Sequence, residues 1–149
     1  MPTYTVIAPE GCLTNEKRSN IAREITRIHH ETTGAPAHFA QVIFHDIAPG
    51  KYFVGGQPLH GKHVFVNGQI RAGRTAESKD ALIGQMLVAV ARAAELPQSH
   101  VWVYVSDLMA RQMAEFGNVL PEPGEEVAWA ERLPPADRAH MESLARASK

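Results

Sequence analysis

The chain matches itself without a gap at an offset of 61 residues, so that Thr14 falls on Thr75, Pro36 on Pro97 and Asp46 on Asp107. The apolar pattern repeats with this punctuation: Glu16 pairs with Glu77, Ile21 with Leu82, Ile25 with Met86 and Val42 with Val103. Only two copies fit into 149 residues, so the signal is a duplication and not a solenoid. Each copy reads as strand, helix, strand. In the first, "PTYTVIA" is β-rich, Thr14 can cap a helix with Glu16 in its first turn, and Ile21, Ile25 and Ile28 recur at helical spacing. Gly34 and Pro36 stop that helix before the strand "FAQVIFHD". In the second, "HVFVNGQI" is the strand, Thr75 and Glu77 start a helix running to about Leu96, and "HVWVYVSD" returns. Two right-handed β-α-β units, each with parallel strands, predict one four-stranded mixed sheet with both helices on one face, an α/β (α+β) fold.

The length fits a single domain over residues 1–149, with repeat 1 at about 2–46, repeat 2 at about 63–107 and a C-terminal tail at about 118–149. The join "IAPGKYFVGGQPLHGKH" predicts a turn or short hairpin, and the last 15 or so residues a charged helix. The repeat leaves no helix for the second face of the sheet, yet "VWVYV" and "VIF" are apolar at consecutive positions, as in strands buried on both faces. Copies of the same chain are the economical cover, so a closed homo-oligomer is expected. A formal net charge of -1 gives no basic excess for nucleic acid. The single cysteine, Cys12, cannot form an intrachain disulfide. With no leader-like start and no long apolar run, neither secretion nor a membrane span is supported, and a cytoplasmic location is expected.

Several motifs invite chemistry. "GQPLHGKH" imitates a phosphate loop through Gly56, Gly61 and Lys62, but His63 stands where a magnesium-binding hydroxyl belongs and a strand follows instead of a helix. Adjacent His29 and His30 point about 100° apart on a helix and do not share an ion; with no cysteine-rich or HExxH pattern, neither metal nor cofactor is expected. His29 alone lies four past Ile25 at the edge of the buried stripe, where a half-buried histidine stabilised by a helix C-terminus is the plain reading. Arg71 and Arg74 sit three apart in "RAGRT", where a strand meets a capped helix. Two guanidinium forks there either grip a carboxylate or lie solvated on the surface. The first copy has Glu10 and Leu13 at those positions, so the fold does not demand the pair. Tyr104 in "VWVYV" reads as a core tyrosine, and Glu115 in "MAEFG" as a solvated or a catalytic carboxylate in an irregular stretch. Pro2 would become a secondary amine at the N-terminus if Met1 were removed.

An N-terminal proline, a duplicated β-α-β chain, an arginine pair at the second helix start and a Tyr and Glu beyond it together resemble the tautomerase superfamily, and within it the cis-3-chloroacrylic acid dehalogenase subgroup. Shared strings include "ITRIHH", "AQVIF", "RAGRT", "WVYV" and "LPEPGEE". The resemblance implies Pro2 as the catalytic amine, His29, Arg71 and Arg74 as the carboxylate grip, and Tyr104 with Glu115 as the water-activating pair. Phe116 stands where the dehalogenase has a tyrosine. It also implies a homotrimer and a small carboxylic acid as substrate. The implied activity is cofactor-independent hydration or dehalogenation of α,β-unsaturated acids, with 2-oxo acid tautomerisation or a non-catalytic binding module as alternatives. Retention of Glu115 beside both arginines favours hydration, because tautomerisation needs no activated water.

Overall fold

A computed structural model describes residues 2–147. The first copy forms β1 (Thr3–Pro9), α1 (Asn15–Thr33) and β2 (Gln41–Ile47). The glycine-rich join forms a hairpin of β3 (Phe53–Val54) and β4 (Gln57–Pro58). The second copy forms β5 (Val64–Arg71), α2 (Ala76–Ala94) and β6 (Val101–Leu108). Beyond the second copy come β7 (Ala114–Glu115) and then, in the tail, β8 (Asn118–Val119), α3 (Glu126–Arg132) and α4 (Pro135–Ala147).

Both long helices begin at their threonines. Thr14 Oγ1 accepts a hydrogen bond from the Lys17 amide, and Thr75 Oγ1 from the Ser78 amide, each at 3.2 Å, so each hydroxyl satisfies one amide that the first turn leaves unpaired. α1 stops at Gly34 with φ 72°, and α2 stops at Glu95 with φ 58°, one residue short of the expected Leu96. A left-handed glutamate lacks the freedom of glycine; here its carboxylate pairs with Lys17 Nζ at 2.8 Å.

The sheet runs β2-β1-β5-β6, with β1 parallel to β2, β5 parallel to β6, and β1 antiparallel to β5. This is the mixed sheet expected from the duplication. Tyr4, Val6 and Ala8 of β1 and Val64, Val66 and Ile70 of β5 pack in one core with Ile21, Ile25, Ile28, Leu82, Met86 and Val90 of the helices. The repeat is not gap-free in space. Thr3 pairs with Gln41 and Phe65 pairs with Trp102, so the leading strands correspond at an offset of 62, while helices and returning strands keep 61. The reason is parity. Residues opposite each other in an antiparallel pair share a face, and Val6 lies opposite Val66, so equivalent positions in β1 and β5 must differ by an even number. The second copy therefore loses one residue between β5 and α2. Pro2 corresponds to Val64 and not His63, and Arg71 to Pro9 and not Glu10.

The returning strands also depart from the reading of burial on both faces. Val101 is buried, but Trp102 and Tyr104, on the face opposite the helices, are 40% and 57% exposed. Ile43 of β2 is exposed on the same face. Among the described residues no helix is long and apolar enough to cross a membrane. The tail builds a second, smaller core from Ala110, Leu120, Trp129, Leu133 and Met141, with Trp129 Nε1 donating to the Val119 carbonyl at 2.8 Å.

Two glycines separate crowding from freedom. A Cβ on Gly68 would lie 2.5 Å from Tyr4 Cε1, and Tyr4 is fully buried, so Gly68→Ala is expected to destabilise the fold by about 1–3 kcal/mol. A Cβ on Gly84, in an open position on α2, meets nothing within 4 Å, so Gly84→Ala is expected to stabilise by about 0.5–1 kcal/mol. Urea unfolding midpoints moving in the same direction for both would contradict this assignment.

Candidate active site

Antiparallel pairing brings the start of β1 to the end of β5, since Thr3 lies opposite Gln69. Pro2 is thereby carried toward Arg71. Its carbonyl accepts from the Gln41 amide at 3.0 Å, and its ring is fully buried. A cavity of about 250 Å³ opens there, walled by Pro2, His29, Thr33, Gly34, Ala35, Pro36, Phe39, Arg71, Arg74 and Glu126. Four of the six residues singled out in the sequence, Pro2, His29, Arg71 and Arg74, thus share one wall.

His29 is not a half-buried imidazolium. It is 3% exposed, and burial first, then the charge of Arg74, push its pKa down to about 4. The Tyr4 hydroxyl lies 2.7 Å from His29 Nδ1, with the rings edge-on at 5.7 Å. Tyr4 is itself fully buried, and burial raises its pKa, so it stays protonated. A buried phenol that only accepted would strand its own proton, so the hydroxyl donates and Nδ1 accepts. The ring's one N–H is then on Nε2. Tyr4 was not singled out in the sequence; its inward phase with Val6 and Ala8 is a signal for core, and only packing across to α1 reveals the hydrogen bond.

The arginines are held by the protein's own acceptors. Arg71, 5% exposed, donates from Nη1 to the Pro121 carbonyl at 2.9 Å and pairs through Nη2 with Glu126. Arg74 donates from Nη1 to the Thr33 carbonyl at 2.8 Å, and Ser78 Oγ donates to the Thr32 carbonyl at 2.6 Å. The start of α2 therefore closes carbonyls that the end of α1 leaves open. Burial, and next the charge of Arg71, lower the Arg74 pKa. The strap after β8 crosses this loop closely: Pro123 Cγ lies 3.0 Å from where a Cβ on Gly73 would stand, and Gly73 has φ 101°. Glu126 is the wall residue that motif reading missed, although it ends the string "LPEPGEE".

Glu115 lies in β7, not in an irregular stretch, and walls a second cavity of about 760 Å³ together with Thr3, Phe39, Met113, Phe116 and His140. Phe39 belongs to both walls, so the two cavities are neighbours. The β7–β8 turn places Phe116 at φ 52° and Gly117 at φ 75°. An aromatic residue in the left-handed region costs about 1–2 kcal/mol. Edge-on contacts of the Phe116 ring with Phe39 and His140, both at 6.0 Å, and a 2.8 Å bond from Asn118 Nδ2 to its carbonyl offset this. Tyr104 is in neither wall. It stands on the exposed sheet face, edge-on to Phe65 at 4.9 Å.

The family model described as "Putative oxalocrotonate tautomerase enzyme" matches residues 1–132. A crystal structure of N1, a member of the cis-3-chloroacrylic acid dehalogenase family, is 37% identical with a TM-score of 0.88, covering 95% of this chain and 99% of that one. The chain belongs to that family of the tautomerase superfamily. Native Ps01740 is 31% identical over 76% of this chain and 99% of that one, with a TM-score of 0.71. Pt0534, solved after inactivation by 2-oxo-3-pentynoate, is 25% identical over 79% and 94%, with a TM-score of 0.72. No curated protein matches this chain. Membership agrees with the resemblance in the sequence and with the duplicated fold.

The buried neutral His29 carries a pH signature. Unfolded, its imidazole gains a proton near pH 6.5; folded, it resists until about 4, so the unfolded state binds more protons between those values. Its share of stability is full above about pH 6.5 and falls on acidification by up to about 1.4 kcal/mol per pH unit. The difference in unfolding free energy between wild type and His29→Gln is expected to shrink across this window; a difference independent of pH would contradict a neutral His29.

Proposed function

We propose that the chain is a cofactor-independent hydratase of α,β-unsaturated carboxylic acids, able to dehalogenate cis-3-haloacrylates. The observation that carries this reading is the shared wall of Pro2, His29, Arg71 and Arg74 around a cavity of about 250 Å³. That volume lies below the roughly 300–1,000 Å³ usual for drug-sized ligands, which favours a short acid. Arg74, Arg71 and the Nε2–H of His29 bind the substrate carboxylate. Attack at the β carbon moves electron density toward the α carbon and that carboxylate, so these donors hold the transition state more tightly than the ground state.

Glu115 as carboxylate takes a proton from water while the oxygen bonds to the β carbon. Pro2 as an ammonium gives its proton to the α carbon. With a halide on the β carbon, the resulting halohydrin expels halide and a proton to leave malonate semialdehyde. Pro2 can do this only with a free secondary amine, so the active form lacks Met1. Tyr104 can orient the water only if a second copy brings it there, because its own cavity wall excludes it. A homotrimer that covers Ile43, Trp102 and Tyr104 is part of this reading. Sedimentation equilibrium showing a monomer would remove Tyr104 from the site.

A second reading is tautomerisation of 2-oxo acids by a neutral Pro2, favoured by the inactivation of the related Pt0534 by a 2-oxo acid. Halide release from cis-3-chloroacrylate, hydration of an acetylenic acid and decay of the phenylpyruvate enol separate the two. On protein whose processing is verified by mass spectrometry, Glu115→Gln is expected to lower hydration about 10²–10⁴-fold and leave enol decay nearly unchanged. Pro2→Ala is expected to depress all three with the fold retained. Hydration surviving Glu115→Gln would overturn the water-activating role, and near wild-type rates in Pro2→Ala would overturn the amine.

A further inference from the structure

We propose that Glu126 sets the charge of the acid this cavity accepts: it cancels one of the two guanidinium charges, so the site selects a small monocarboxylate over a dicarboxylate. The inference rests on the reading of the cavity as a carboxylate site. The wall holds four ionisable side chains, Arg71, Arg74, Glu126 and His29. His29 is neutral, and in processed protein the Pro2 ammonium of the proposed hydration is matched by the Glu115 carboxylate of the adjoining cavity, so Arg71, Arg74 and Glu126 set the remaining balance at two positive charges against one negative.

The carboxylate belongs to the wall by construction. Its Oε1 pairs with Arg71, while its Oε2 accepts from the Gly124 amide at 2.9 Å. Gly124, at φ 95°, makes the turn that folds the strap back, and Pro121 and Pro123 restrict the chain leading into it. Pro121 also gives its carbonyl to Arg71, so both terminal nitrogens of that buried guanidinium have an acceptor from one short segment. Burial is the largest single influence on Glu126 and opposes its ionisation, but the hydrogen bond and charge of Arg71 together with the backbone amides outweigh it and hold the carboxyl below its usual range. The charge is therefore present at neutral pH. One substrate carboxylate neutralises the remaining positive charge. A second would bring excess negative charge against Glu126 and compete for an arginine already paired.

Isocrotonate and maleate share a cis four-carbon frame and differ by a methyl group against a carboxylate. Their affinities for processed protein are measured by calorimetry, at a pH where both maleate carboxylates are ionised. Wild type is expected to bind isocrotonate more tightly. Glu126→Gln, and likewise Glu126→Ala, is expected to raise the ratio of maleate to isocrotonate affinity by roughly tenfold or more. Glu126→Asp keeps the charge and is expected to keep the preference. Wild type that prefers maleate, or Gln and Ala variants that weaken both acids alike, would overturn the role of Glu126 and leave the carboxylate site standing. Wild type that binds neither acid would overturn the carboxylate site, and this inference with it.

Discussion

Antiparallel pairing of β1 with β5 about Thr5 and Asn67 is the constraint on which the rest of the molecule depends. It turns two β-α-β units into one sheet and sets the start of each leading strand beside the end of the other. Two equivalent ends result, and only one becomes a site. At the other end, Val64 stands for Pro2, Val90 for His29, Pro9 for Arg71 and Leu13 for Arg74; Val64, Val90 and Leu13 are all buried in the main core. There Lys17 Nζ bonds the Ala94 carbonyl at 3.0 Å and closes the end of α2, as Arg74 and Ser78 close the end of α1. The same backbone thus supports a packed end and a polar one. Side chains alone decide which.

The polar end needs the tail. Arg71 is too buried to be left to water, and an unpaired buried cation is costly. Among the described residues its hydrogen-bond acceptors, the Pro121 carbonyl and Glu126, both come from the strap and not from the repeat. The tail can press that strap onto the loop at Gly73 because it has a core of its own around Trp129. The segment leading into the tail carries Glu115 in β7, in a wall that shares Phe39 with the first cavity. What the duplicated fold leaves unfinished, the non-repeated tail completes.

What the sequence showed depended on the range of the cause. Helix starts at Thr14 and Thr75 and the helical stripe of Ile21, Ile25 and Ile28 follow from residues three or four apart, and the structure places them as read. The β-α-β order followed from the repeat, and its sheet from the handedness of crossovers. The one-residue slip between β1 and β5 did not, because parity is set by pairing across the sheet and a gap-free match cannot display it. Trp102 and Tyr104 read as buried since hydrophobicity along a strand does not say whether a cover lies in the same chain. β7 and β8 have two residues each, too few for a period of two to register.

The site was legible to the same extent. The repeat and its loops put Pro2, His29, Arg71 and Arg74 at strand and helix ends, but it was the resemblance to the tautomerase superfamily that gathered them into one site. The state of His29 could not be read in this way, because Tyr4 is 25 positions away in sequence and meets it only through packing of α1 on β1. Nor could the pairing of Arg71, whose partners lie 50 and 55 positions further on. A motif names the groups that can act on a substrate, but those distant contacts decide which proton His29 keeps and how much charge Arg71 still offers. Chemistry read from the motif alone would give this cavity one positive charge too many.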